Sequence, residues 1–485
     1  MKPARVFVIG IFSVSLCAGL GLAQQSGVSS LAVTHVSVID PAQPKVYRDM
    51  TVLIASGRIQ TISAAKNAKI PASAETLDGS NKYLIPGLWD MHVHTTNPKR
   101  EFPMFIANGV LGVRNMHGRM ERVFQWRKEL ADRTLLGPQL MLAGALVDGP
   151  TATSRSAIIV RDAAEAKAAV IRLKAAGSDF VKVYDGLSRE SYFALAGEAK
   201  RLGLPFAGHV PWDVRILEAV RAGQKSLEHG AALEGGSSAE GEVASARAVP
   251  TAIAEAMRTN SNFPAVMEAI AKAGNQILDH YSETQALTEF HEFARSGTSL
   301  TPTLVTLRAV TFIDDLTKQP DRLVRFSPKW EQNAWKPEAG IVTANRTPAY
   351  IAYRKREYAA IEKALVIAKK AGVSILAGTD IGSAYTHAGF SLHDELEWLV
   401  KGGLTPREAL QSATSAAAAF FHFEHGVGTI KPGSMASLVL LDANPLDDIQ
   451  NVRKVHAVIL NGSVLTRRKL DALLDEAAAE AAAGR

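Results

Sequence analysis

The stretch LIPGLWDMHVHTT, residues 84–96, is an apolar run that ends in two histidines one residue apart, and it opens a series. Short apolar runs of the same kind follow as GVLGVRNM, QLMLAGALV, DFVKVYDG, PFAGHV, SLEHG, SLTPTLVT and SILAGTD. Helical periodicity separates most of them. DAAEAKAAVIRLKAAG follows the third run, ESYFALAGEAKRLG follows the fourth and EYAAIEKALVIAKKAG precedes the eighth, each stopping at glycine. Buried strands that alternate with helices call for a parallel sheet. Eight such units predict an α/β chain built on a (β/α)8 TIM barrel, a fold that commonly takes ~250 residues or more. The expected barrel spans residues 81–425.

Outward from the barrel, both chain ends change texture. Residues 28–80 and 426–468 carry β-branched runs punctuated by DP, QP, SGR, KPGS, ANP and NG, the marks of short antiparallel strands joined by turns. Two such segments at opposite ends predict one small β-sandwich domain assembled from both termini. Residues 469–485, rich in alanine and glutamate, read as a helical or frayed tail. At the other end, Lys2 and Arg5 precede a charge-free run that finishes in small residues at Ala23, the pattern of a signal peptide over residues 1–23. The run is short of the ~20 apolar residues of a spanning helix. Export to the periplasm or outside the cell is expected, with no stable membrane insertion after cleavage.

Removing that segment removes Cys17, the only cysteine, so the mature chain has neither a disulfide nor a thiolate ligand. Any metal site must use nitrogen and oxygen. The net charge of +6 falls to +4 without Lys2 and Arg5, and the basic residues are scattered. That pattern excludes a nucleic-acid footprint. No GxGxxG or GxxxxGK[ST] follows a strand, so a nucleotide site is not expected.

Barrel enzymes carry their chemistry at the C-terminal ends of the strands. His92 and His94 end the first run, Lys182 and Tyr184 the fourth, His209 the fifth, His229 the sixth and Asp380 the eighth. Alternation along a strand turns His92 and His94 to one face, with Asp90 one step deeper. Four histidines and a carboxylate from separate strands form the ligand set of zinc, manganese or a similar divalent ion, and they exceed one tetrahedral site. An ammonium at Lys182 would be repelled there and should lose its proton. A neutral lysine can capture carbon dioxide, and the resulting carbamate is a carboxylate on an arm long enough to bridge two metals. Tyr184 could hold a substrate carbonyl or carboxylate, or be a packed barrel tyrosine. Arg114 in GVRNMHG could bind an anionic substrate group or be paired beneath the site, and His117 shares that ambiguity. His280 and His291 read as solvated helix residues, and Trp212 as a pocket wall or a helix start. Residues 231–299 and 307–353 interrupt the alternation as candidate lids.

At these motifs the chain resembles the amidohydrolase superfamily, close to its imidazolonepropionase-like and Xaa-Pro dipeptidase-like hydrolases. The residues that carry the resemblance are PGLWDMHVH, VKVYDG, AGHV, LEHG and AGTD, in that order, together with VSVIDP, VLIASGRI and GTIKPGSMASLVLLD at the two ends. The resemblance implies that His92, His94 and Asp380 hold one metal and His209 and His229 another, with carboxylated Lys182 and a hydroxide between them. It implies two divalent ions, zinc foremost, with manganese, cobalt or iron as substitutes. Two cations ~3.5–4 Å apart lower the pKa of a shared water and polarise a carbonyl. Asp380 would be the catalytic base and then acid. The implied reaction is hydrolysis of a C–N bond in a small amide: a dipeptide, an N-acyl amino acid or a cyclic amide. A homo-oligomer is expected. The stretch GVRNMHG lacks the Asp and paired glycines of the commoner form, which weakens substrate inference from the second strand. The alternatives are a mononuclear deaminase, a lactone or phosphoester hydrolase of the same superfamily, and a non-catalytic binding protein. A deaminase usually carries a glutamate near the strand-five histidine, whereas His209 is followed by VPWD.

Overall fold

Gly87 divides the stretch at 84–96 between two sheets. The computed structural model describes residues 30–484 except 153, 235, 237–248, 250–251, 254–255, 257–258, 260–261, 319–320, 337–340 and 424–425. The proposed signal segment 1–23 lies outside the described residues. Along the chain come β1 (Ser30–Ile39), β2 (Val46–Ala55), β3 (Arg58–Ala64), β4 (Glu75–Asp78) and β5 (Tyr83–Pro86). The parallel strands follow: β6 (Leu88–Val93), β7 (Val110–Asn115), β8 (Gln139–Leu142), β9 (Leu146–Asp148), β10 (Ile158–Ile159), β11 (Val181–Val183), β12 (Phe206–Gly208), β13 (Ser226–Glu228) and β14 (Ser299–Thr301). β15 (Leu438–Leu441), β16 (Val455–Leu460) and β17 (Ser463–Thr466) come last.

The two ends meet in one sheet of order β17-β16-β15-β5-β1-β2-β3, with β4 beside β1. The seam is the antiparallel pairing of β15 with β5, Leu438 opposite Pro86 through Leu441 opposite Tyr83. In β1 the inward positions shift from Leu31 and Val33 to Val36 and Val38 across a bulge, where His35 takes a φ of 55°. These side chains pack with Ile54, Ile59, Leu438 and Leu440, each worth about 1.5–3 kcal/mol when fully buried. The expected two-ended construction is present, as a single eight-stranded sheet.

The remaining strands are parallel and form a sheet β6-β7-β8 and a sheet β10-β9-β11-β12-β13-β14. The run QLMLAGALV breaks in its middle, so β8 pairs with β7 and β9 with β11, and Asp179 N–H bonds Leu142 O at 2.8 Å beside the break. The run SILAGTD is not a regular strand. It still bridges its neighbours: Leu376 N–H donates to Leu300 O and Met91 N–H to Ala377 O, both at 2.8 Å, and Asp380 N–H donates to His92 O at 2.7 Å. The Asp90 carboxylate takes the place of ladder partners here, accepting from Thr379 N–H (3.0 Å) and its hydroxyl (2.6 Å). The strand ladders therefore stop short of one continuous eight-stranded ring.

Helices cover these sheets with capped ends. Asn97 accepts from the N–H groups of Lys99 and Arg100 at the start of Pro98–Ala107, Asp162 caps Ala163–Ala175, and Ser188 caps Arg189–Arg201. The tail forms the helix Arg467–Ala482 and buries Leu470, Ala477 and Ala481. Among the described residues, no helix is long and apolar enough to cross a membrane.

Candidate functional site

Polar side chains collect where the parallel strands end. His92 and His94 leave β6 toward Asp380, whose Oδ1 stands 3.0 Å from His94 Nε2 and 3.4 Å from His92 Nε2. His209 follows β12 and His229 follows β13, with their Nε2 atoms 3.1 Å apart. The His92 and His229 rings are 4.8 Å apart, which joins the two groups into one cluster. Lys182 lies in β11 between Leu146 and Ala207 and is wholly buried. His229 and Asp380 both adopt left-handed backbone, with φ of 59° and 54°. Such conformations cost of order 1–3 kcal/mol and persist where the surroundings impose them.

Each histidine of the cluster is gripped at Nδ1. His92 bonds Glu228 Oε2 at 2.8 Å, His209 bonds Asp185 Oδ1 at 2.9 Å, His229 bonds the Thr303 hydroxyl at 2.8 Å, and His94 meets Nδ1 of His117 at 2.7 Å. A carboxylate acceptor fixes the proton on Nδ1 and leaves Nε2 as a lone pair, the arrangement of metal-ligating imidazoles. Burial holds His92 well below the usual histidine range, reinforced by Lys182, and brings His229 to about 3. These imidazoles are neutral donors at ordinary pH. Burial also lowers Lys182 to about 8. Burial alone would raise Asp380, but the hydrogen bond from His94, together with the neighbouring imidazoles, outweighs it and holds the carboxyl well below its ordinary range.

Two atoms in this cluster test its fit to a metal. His92 Nε2 and Lys182 Nζ are buried and have no hydrogen-bond partner among the described residues. A native interior seldom leaves such groups unmatched, because each costs about 1–3 kcal/mol or more. One ligand atom each from His92, His94 and Asp380 lies within 4.8 Å of the others. These three could hold one divalent ion.

The secondary candidates divide. Tyr184 stacks on His209 with ring centroids 4.2 Å apart, so it walls the cluster. His117 positions His94, and burial brings its pKa to about 3. Of the two roles open to Arg114, the geometry realises pairing beneath the site. Its guanidinium is fully buried, donating to Ser226 Oγ at 2.7 Å and to both Glu228 oxygens at 3.0 Å, so it does not reach an anionic substrate. His291 is an exposed helix residue and His280 is exposed just past a helix end, while Trp212 is half-buried and its N–H donates to Asp185 O at 3.1 Å. Glu228, Asp185 and Thr303 are the functional residues that sequence reasoning missed. The available signal was a charged residue inside an apolar strand, as in SLEHG.

The amidohydrolase family profile matches residues 83–465. Among curated proteins the chain is similar to a dihydroorotase from Trichlorobacter lovleyi, 40% identical over 80 residues that make up 16% of this chain and 18% of that protein. The match thus spans under a fifth of that relative's length. Among solved structures it is similar to a bottromycin amidohydrolase, with TM-score 0.73 and 24% identity over 93% of this chain and 90% of that one. It is also similar to a Xaa-Pro dipeptidase with methionine bound in its active site, with TM-score 0.63 and 19% identity over 90% of this chain and 100% of that one. At these identities the structural likeness speaks for the fold.

Proposed function

Because the chain belongs to the amidohydrolase family, we propose that it is an exported hydrolase that cleaves the C–N amide bond of a small molecule: a dipeptide, an N-acyl amino acid or a cyclic amide. One observation carries the reading. Four histidines from three strand ends are each held at Nδ1, Nε2 of His92 and His94 turns to Asp380, and Lys182 is buried without a hydrogen-bond partner among the described residues. The amide and peptide substrates named for the structurally similar proteins support it.

In this reading His92, His94 and Asp380 would hold one divalent ion and His209 and His229 a second, with Lys182 available to both. The neutral amine of Lys182 could add to carbon dioxide and release a proton, and the resulting carbamate would supply a carboxylate to the bound metal. The bound ions supply Lewis acidity, activating water and polarising the amide carbonyl. His92, His209, His229 and His94 are kept in register by Glu228, Asp185, Thr303 and His117, so no rotamer has to be reset during turnover. Asp380 Oδ1 faces His94, which leaves Oδ2 to take a proton from the attacking water and return it to the leaving nitrogen. The parallel strands are read as a (β/α)8 barrel whose ring is completed by residues 374–381, the mature chain as a homo-oligomer, and residues 1–23 as its export signal.

The test is a panel of dipeptides, N-acyl amino acids, dihydroorotate, lactones and phosphotriesters, offered to zinc- or manganese-loaded protein prepared with bicarbonate. Hydrolysis of at least one amide class is expected, read as release of amine or, for a cyclic amide, as opening of the ring. Turnover confined to lactones or phosphotriesters would contradict the C–N assignment.

A further inference from the structure

Two cavities of about 350 Å³ each adjoin His94 and Thr96 at the edge of the cluster, and their walls differ in kind. One is lined by Arg119, Arg122 and Arg155 together with Ser154 and Ser156, and among the described residues no carboxylate lines it. These arginines are exposed. Arg119 and Arg155 have no side-chain hydrogen bond or ion pair with another described residue, while Arg122 reaches Thr96 O at 3.4 Å and lies over the Trp126 ring. Two other exposed arginines of this surface, Arg189 and Arg221, are spent on the acids Glu218 and Glu292. Three guanidinium groups held together without an acid repel one another, and an anion relieves that repulsion.

The other cavity is walled by Phe326, Trp330 and Trp335, all from the insertion at 307–353. Arg100 and Glu101 also line it, but Arg100 is already matched to Glu101 and Glu331. Its unmatched surface is therefore aromatic. Trp330 is 57% exposed, an unusual position for a large apolar side chain and one that suits contact with a ligand.

We infer that the substrate is bipolar: an anionic group, carboxylate by preference, enters the Arg119–Arg122–Arg155 cavity while an apolar or aromatic group fills the Phe326–Trp330–Trp335 cavity. The scissile amide then lies between them, over His94 and its cluster. This assignment rests on the hydrolase reading for the place of the scissile bond, but the two subsites bind whether or not that bond is cut.

The test uses zinc-loaded full-length mature protein and two probes without a scissile bond, 4-phenylbutanoate and 4-phenylbutanol, titrated calorimetrically at low salt. The acid should bind at least about tenfold more tightly than the alcohol, and added salt should erode that preference. Arg122→Gln/Arg155→Gln should reduce the preference to near unity, while Trp330→Ala should weaken both probes by a similar factor. Equal affinity for the two probes, or no binding of either, overturns the inference. So does a preference that survives in the arginine variant, since the carboxylate would then be held by the metal ions. Amide turnover with charge-blind probe binding would sink the two-subsite assignment and leave the hydrolase reading standing.

Discussion

Glu228 serves two neighbours at once. It takes the Nδ1 contact of His92 and neutralises the buried guanidinium of Arg114, with Ser226 completing the group. Burial would raise its pKa, yet Arg114 and Lys182 prevail and hold it below the ordinary carboxylate range. Glu228→Gln keeps the shape and removes the charge. Leaving Arg114 buried without its counter-ion should cost about 3–5 kcal/mol of stability, read from urea unfolding, and metal affinity should fall about 10–100-fold, read by competitive chelation. Asp380→Asn is expected to act differently, lowering kcat far more than it raises KM, because only Oδ2 of the acid can carry a proton. Equal loss in both constants would reduce Asp380 to a ligand. Period-two alternation is enough to place His92 and His94 together, and strand ends account for His209, His229 and Asp380. Glu228 is not legible that way. Two successive residues, Glu228 and His229, turn toward the cluster, which alternation forbids and the left-handed backbone at His229 permits.

At the scale of elements, the helix Phe390–Lys401 carries a buried acid, Glu395, whose Oε2 accepts from Val305 N–H at 2.8 Å while Oε1 has no hydrogen-bond partner among the described residues. Burial pushes this carboxyl up to about 8 from an ordinary value near 4.5. The folded protein therefore keeps a proton that the unfolded chain releases above pH ~4.5. Stability should fall as pH rises through the window from about 4.5 to 8, with a slope of at most about 1.4 kcal/mol per pH unit, and level off above it. Glu395→Gln should flatten that part of the profile of Tm against pH; an unchanged profile would assign the slope to other groups. Most strand and helix positions are legible from apolar runs and glycine stops. What the runs do not reveal is where a strand changes partner. LIPGLWDMHVH reads as one strand but divides at Gly87, where an added Cβ would meet Leu111 at 2.7 Å and the N–H turns to Ser437 O. QLMLAGALV divides likewise, and SILAGTD loses its ladder to the side chain of Asp90. Such exchanges depend on neighbours distant in sequence.

For the whole molecule, two chain ends join in one sheet, and β-branched runs punctuated by turn signals make that pairing legible. The insertion at 307–353 reads as a lid from its length. Its contribution of Phe326, Trp330 and Trp335 to a cavity beside His94 depends on how several short helices pack, which local periodicity does not encode. All these parts converge on one claim, that the cluster is a two-metal site bridged through Lys182. Elemental analysis of the mature chain, produced with bicarbonate and zinc or manganese, tests it most directly. The account predicts about two metal ions per chain, falling to about one in a folded Lys182→Ala protein with little activity. Metal-free wild-type protein, or a Lys182→Ala variant that keeps both ions and full turnover, would contradict it.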